Sequence, residues 1–147
     1  MAIIAAALAI VSVLGHISAT EEIVLQQRAA DQWAFSQAKN IRRYESEIAL
    51  DLLHDHGSAE AVQKYRKNLD RYERETTENQ NRAREFEAER DVRHHQALRL
   101  HFGEVFLEIS IVFASVAILT KRPILWWISI VASSVGTLIA FTTAGIH

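Results

Sequence analysis

Three side chains that could bind a metal ion or carry a proton lie close together in the last third of the chain. His101, Glu104 and Glu108 are spaced i, i+3 and i+7, so in a helix they share one face. His16 is expected at the same level from a separate apolar segment. Because ionisable groups inside a membrane are usually functional, these four residues could form a metal site or a proton relay. The structural alternative places both glutamates at the membrane surface, where they bind lipid headgroups or pair with His16.

The depth of these residues follows from the distribution of charge along the 147-residue chain. All 18 acidic residues, and every basic residue except Lys121 and Arg122, lie between positions 21 and 108. Residues 1–20, 109–120 and 123–147 contain no Lys, Arg, Asp or Glu. An apolar helix of about 20 residues spans the hydrocarbon. Counting that length back from Thr120 reaches His101, so both glutamates fall within the span.

The sequence therefore predicts an all-α membrane protein with three transmembrane helices. They are residues 1–20, 102–120 and 124–146, with a short basic loop at 121–123. Small residues at helical spacing let helices approach closely in lipid. The predicted helix-packing residues are Ala5 and Ala9 in the first span, and Ala132, Gly136 and Ala140 in the third.

Residues 21–101 are predicted to form a long antiparallel helical hairpin, coiled-coil in character, with its turn near 55–58. Apolar residues of the first arm recur at helical spacing, with Gln27 and Gln37 in the gaps: Ile23, Ala30, Ala34, Ile41, Tyr44, Ile48 and Leu52. In the second arm, Val62, Tyr65, Leu69, Tyr72, Thr76, Asn79, Ala83 and Phe86 alternate by three and four residues. Each arm would bury one such stripe against the other.

The residues at the turn have separate roles. Gly57 suits a left-handed position at the end of the first arm, and Ser58 suits the N-cap of the second. His54 and His56 are interpreted as solvated residues. The large aromatic residues favour self-association into a larger bundle, and the candidate interaction residues are Trp33, Tyr65, Leu69, Tyr72 and Phe86.

Composition argues against several functional classes. The net charge is −2, and no basic stretch is interleaved with aromatic residues, so nucleic acid is not an expected partner. The chain contains no cysteine. It also lacks a glycine-rich phosphate loop, a zinc-protease motif and a nucleophile elbow, so we expect no cofactor and no catalytic residue.

The orientation is predicted from the short loop that holds Lys121 and Arg122. Short loops between closely spaced spans obey the positive-inside rule best. This loop is therefore expected in the cytoplasm. The hairpin would then lie on the opposite side of the membrane.

The run Asp-Gln-Trp-Ala-Phe-Ser-Gln-Ala-Lys-Asn-Ile-Arg at residues 31–42 resembles a bacterial membrane family catalogued as domain of unknown function 4337. The order of leading span, helical body and paired closing spans is also similar, as is the basic turn Thr120-Lys121-Arg122. The resemblance covers nearly the whole chain. It implies no established activity, so it assigns no catalytic residue.

We expect a non-enzymatic structural or accessory protein. It would self-associate, or dock on a larger membrane complex, through its helical stalk and the small-residue faces of its spans. The first alternative is an oligomeric transport or channel-like protein with Glu104 and Glu108 lining a pathway. A second alternative is a metal-dependent membrane enzyme that uses the same residues. Membrane lipids are expected partners in every case.

Overall fold

The structure, a computed structural model, describes residues 2–53 and 57–144. These residues form three α-helices and no strand: α1 (Ala2–Leu53), α2 (Ala59–Thr120) and α3 (Pro123–Ala144). Each helix contains a segment long and apolar enough to cross a membrane. The first predicted span continues into the first arm as one helix, and the second arm continues into the second span.

The start of α2 is set by Ser58. Its hydroxyl accepts a hydrogen bond from the Ala61 amide at 3.2 Å, which is the N-cap interaction expected from the sequence. The predicted left-handed Gly57 is wrong, because no described glycine has a positive φ. Instead, Gly57 allows a close approach. Its amide donates to the Leu53 carbonyl at 2.8 Å, and a Cβ atom there would lie 2.6 Å from that oxygen. His54, Asp55 and His56 lie outside the described residues.

The turn between α2 and α3 is one residue shorter than the predicted loop at 121–123. Lys121 adopts a φ of 55°, the left-handed conformation that often ends a helix. Pro123 then occupies the first position of α3, where its missing amide hydrogen costs no helical hydrogen bond. Two residues therefore separate the helices.

Contacts divide the chain into two compact units. The span unit comprises Met1–Ile23 and Asp91–His147, and the hairpin unit comprises Val24–Arg90. In the hairpin unit, Trp33 bonds to Glu87 and Lys39 pairs with Glu75, so later residues of α1 meet earlier residues of α2. This order is the one expected of an antiparallel pair.

The span unit is built on close approaches at small residues. A Cβ at Gly136 of α3 would lie 2.8 Å from the Gly103 carbonyl oxygen of α2, so only glycine permits this approach. Two turns before Gly136 on α3, the Ser129 hydroxyl donates to the Ser110 carbonyl at 2.8 Å. Hydrogen bonds of this kind join helices in an apolar environment.

The predicted packing residues of the span unit lie in different environments. Gly136 and Ala140 are buried and Ala132 is half-buried, as expected. Ala5 and Ala9 are exposed. The first span packs through a different stripe, because Val11 joins a core with Leu100, Leu107 and Ala140, flanked by Ile4, Ala7 and Leu8.

In the hairpin unit, α1 packs through a face that the apolar pattern does not mark. Its buried residues are Leu25, Ala29, Ser36 and Ser46, which are mostly small or polar. Half-buried Gln32, Lys39, Arg43, Leu50 and Leu53 complete an alternation of four and three residues. The stripe expected to pack lies on the opposite face and is exposed, with Ile41 and Ile48 each 59% accessible.

The stripe predicted for α2 does lie toward the interior. Thr76 and Ala83 are buried, and Tyr65, Leu69, Tyr72 and Phe86 are half-buried. Small residues of α1 therefore coexist with bulky rings of α2 in this unit.

The glycine contact of the span unit generates a testable prediction. Gly136→Ala should lower stability by about 1–3 kcal/mol, because the added methyl group overpacks the contact with Gly103. The measurement is thermal unfolding followed by circular dichroism in mild detergent.

Gly15→Ala is the matched control. Its Cβ would lie 3.7 Å from the Leu100 Cβ, an ordinary contact, so this variant should be neutral or slightly stabilised. Equal unfolding temperatures for the two variants would contradict the close approach at Gly136.

Candidate functional site

A groove lies between α1 and α2 in the span unit. Its volume is about 340 Å³, and small residues provide the space. The lining residues are Ser12, Gly15, His16, Ala19, Glu22, His94, Ala97, Leu98, His101 and Glu104. Three histidines and two glutamates therefore line the groove together with glycine, alanine, serine and leucine residues.

Two ion pairs connect the helices toward the charged end of this groove. The Glu22 Oε1 lies 2.9 Å from the His94 Nδ1, and the Glu21 Oε2 lies 3.1 Å from the Arg93 Nε. His94 carries the charge of an ion pair only when it is protonated. These contacts hold α1 and α2 at one register within the span unit.

The predicted His/Glu site is assembled only in part. His16, His101 and Glu104 line the same groove, and the His101 Nδ1 lies 3.6 Å from the Glu104 Oε2. Glu108 is exposed and does not line the groove. Within residues 2–53 and 57–144, no three His, Asp or Glu side chains lie close enough together to hold a metal ion. The described His–Glu contacts are therefore pairwise, one between His94 and Glu22 and one between His101 and Glu104.

Sequence reasoning missed Glu22 and His94 as members of this group. Their charges placed them in the hairpin, outside the predicted spans. An assumed antiparallel register of the two helices could have identified them. In the structure, Gly15 lies near Leu100. Counting equal steps along both helices from that contact brings Glu22 close to His94.

In the hairpin unit, the candidate anchor Trp33 is held by the second helix. Its indole Nε1 donates a hydrogen bond to the Glu87 Oε1 at 2.8 Å, and the side chain is half-buried. A bond between an indole and a carboxylate fixes the ring orientation and relates the two helices in register. Trp33 thus has an intramolecular role, and the interaction role expected for it stays a prediction.

A second polar cluster surrounds Glu75. The Lys39 Nζ lies 2.6 Å from the Glu75 Oε2, and the Arg71 Nε lies 3.7 Å from the Glu75 Oε1. Lys39 also lies 5.8 Å from the Tyr72 ring centroid, within cation–π range. The hydrogen bond from Lys39 lowers the pKa of Glu75, partial burial opposes this, and the charges of Lys39, Arg71 and Arg42 lower it further.

The lowered pKa of Glu75 sets a pH dependence. A carboxyl group with a depressed folded-state pKa contributes stability above its unfolded pKa, and this contribution is lost as the pH falls through the folded-state value. Wild type should therefore unfold at a higher temperature than Lys39→Met at pH 7. The difference should shrink once the pH falls below about 4, near the ordinary pKa of glutamate.

Lys64→Met is the control, because Lys64 is an exposed lysine of the same unit. It should show no comparable pH-dependent difference from wild type in thermal unfolding. A Lys39→Met deficit that stayed constant between pH 7 and pH 3 would contradict an ionic origin.

Comparisons with known proteins place the chain in a family. The model of the domain of unknown function family DUF4337 matches residues 1–146. No curated protein and no solved structure matches the chain. Since the match extends over nearly the entire sequence, the chain belongs to the DUF4337 family.

Proposed function

We propose that this chain is a non-enzymatic structural or accessory membrane protein that functions by association. It self-associates, or docks on a larger membrane complex, through the hairpin unit and the small-residue faces of its spans. One observation carries the proposal: large hydrophobic side chains of the hairpin unit are exposed. They are Val24, Phe35, Ile41, Tyr44, Ile48 and Leu52.

Lipid does not account for this exposure. Exposed apolar residues in the spans are expected, because they contact hydrocarbon. The hairpin unit, by contrast, carries charged residues throughout its length, and an ionised side chain in hydrocarbon costs several kcal/mol. A large apolar surface in a water-exposed segment usually marks a binding surface. Another protein is therefore the best candidate to cover it.

The span unit also supports association. Ala5 and Ala9 form an exposed small-residue face on α1, which suits close packing against a further helix. Glu108 is exposed within the apolar part of α2. A carboxylate in contact with lipid is costly, and protein contacts would lower that cost.

The proposal also includes the membrane that the protein occupies and its orientation there. Lys121 and Arg122 are exposed between α2 and α3, and positive charge in such a short loop favours the cytoplasmic side. The protein would thus occupy a bacterial inner membrane with the hairpin unit on the periplasmic side.

Association is tested by the mass of the purified particle. Size-exclusion chromatography with light scattering in mild detergent should give either a multiple of the 16.6 kDa chain mass or a complex with another subunit. A 16.6 kDa particle that copurifies with no other protein would contradict the proposal.

The orientation is tested with single cysteines, since the chain has none of its own. In spheroplasts, a membrane-impermeant maleimide should label Gln63→Cys in the hairpin unit. It should label Thr120→Cys, beside the basic loop, only after the membrane is permeabilised. The reverse pattern would place the hairpin unit in the cytoplasm.

A further inference from the structure

We propose that the exposed face of α1 in the hairpin unit pairs with the same face of a second copy, parallel and in register. The surface is called here the outer stripe, and it consists of Ala30, Ala34, Gln37, Ile41, Tyr44 and Ile48. The inference rests on the proposed function, because it names the partner and the surface for the association described above.

The outer stripe has the spacing of a coiled-coil core. Its members alternate by four and three residues from Ala30 to Ile48, as the core positions of a heptad repeat do. All six are exposed, and Tyr44 is 51% accessible. Leu52 continues the apolar surface beyond Ile48 and is 78% accessible. The packed face of α1 is a separate stripe on the other side of the helix, so both stripes can be occupied at once.

Among the described residues of the hairpin unit, the exposed large hydrophobic side chains all lie on α1. Between Ala59 and Arg90, within the described part of α2, no large hydrophobic residue is exposed. The exposed positions there include Lys64, Arg66, Lys67 and Asp70, which water solvates well. An assembly of hairpin units is therefore expected to bring α1 helices together and leave α2 on the outside.

Two glutamines on this face favour a second copy over an unrelated partner. Gln37 interrupts the outer stripe, and Gln27 occupies the preceding core position of the same alternation. An amide buried against a purely apolar surface would lose its hydrogen bonds, at a cost of about 1–3 kcal/mol. In a parallel, in-register pair, each glutamine meets its own equivalent and can bond to it, and a single polar core residue of this kind specifies register.

The apolar first segment of α1 makes the parallel arrangement the natural one. The helix is continuous from Ala2 to Leu53, and residues 2–20 carry no charged side chain. Copies inserted in one membrane therefore share the same orientation, and each chain leaves the membrane at the same residue. Confinement of this kind raises the effective concentration of matching segments and lowers the cost of association.

The flanking charges are compatible with this register. In a parallel coiled coil, the residue immediately before core position a (position g of the heptad) lies opposite the partner's residue five positions later in the sequence (position e). Asn40 would then face Glu45 of the second copy, and Glu47 would face Leu52. Gln26 would likewise face Asp31. No two like charges oppose each other, so the pairing carries no direct repulsion.

Cysteine cross-linking in native membranes tests the inference. Single substitutions Ala34→Cys, Ile41→Cys and Tyr44→Cys introduce thiols on the outer stripe of the full-length chain. Phe35→Cys and Arg42→Cys are matched controls, each displaced by one residue around the helix. After brief oxidation, non-reducing electrophoresis should show disulfide-linked dimers several-fold more abundant for the stripe variants than for the controls.

A second variant links cross-linking to apolar packing. Ile48→Asp, added to Ala34→Cys, should reduce the dimer yield several-fold, because it places two carboxylates opposite each other in the paired face. Lys64→Asp on α2 changes charge at an exposed site and should leave the yield unchanged. Circular dichroism of each purified variant verifies that it remains helical.

Several outcomes would overturn the inference. Equal yields at stripe and control positions, or thiols that cross-link mainly to a different protein, would exclude the paired outer stripes. If the particle mass nevertheless exceeds 16.6 kDa, association itself survives and only this surface is wrong. If the particle is also a lone monomer, both the inference and the proposed function fail.

Discussion

Two of the three described helices each join, in one unbroken backbone, two segments that suit different solvents. α1 and α2 both contain an apolar, span-length segment and a long charged segment. Within the apolar segment nearly every outward side chain must be uncharged, since hydrocarbon does not solvate ions. Within the charged segment only one face needs to be apolar. This requirement explains why charge is confined to the middle of the sequence, and why exposed hydrophobic residues have a different meaning in the two units.

Small residues determine how closely the helices approach in both units. In the span unit, Gly103 and Gly136 bring two backbones together, and two turns away a serine hydroxyl of α3 bonds to a carbonyl of α2. In the hairpin unit, Ala29 and Ser36 of α1 are buried, and Tyr65, Tyr72 and Phe86 of α2 are half-buried. Where lipid surrounds the helices, packing and hydrogen bonds replace the hydrophobic effect as the source of association. In the hairpin unit, burial of apolar rings adds to them.

Polar contacts between the helices act mainly on register. Trp33 with Glu87 and Lys39 with Glu75 hold the hairpin unit, and Glu22 with His94 performs the same task in the span unit. Exposed ion pairs contribute little stability, about 0–1 kcal/mol each. A slip by one residue would break several of them together, which is how weak contacts can specify one alignment. The His/Glu groove is therefore both a structural feature and the only part of the predicted polar site that the described residues assemble.

The sequence by itself determined the three helices, the basic turn at Lys121 and the stripe of α2. Charge exclusion from lipid and heptad spacing are local properties that any fold of this chain must respect. Tertiary structure alone decided which face of α1 is buried. Ala29 and Ser36 carry too little hydrophobicity to mark that face in the sequence, whereas Ile41 and Ile48 mark a face that is exposed in the structure. It also decided that His16 shares a groove with Glu104 while Glu108 does not. The buried face and the residues that share a groove depend on how side chains from helices distant in sequence pack together. The spacing of residues along one helix does not determine that packing.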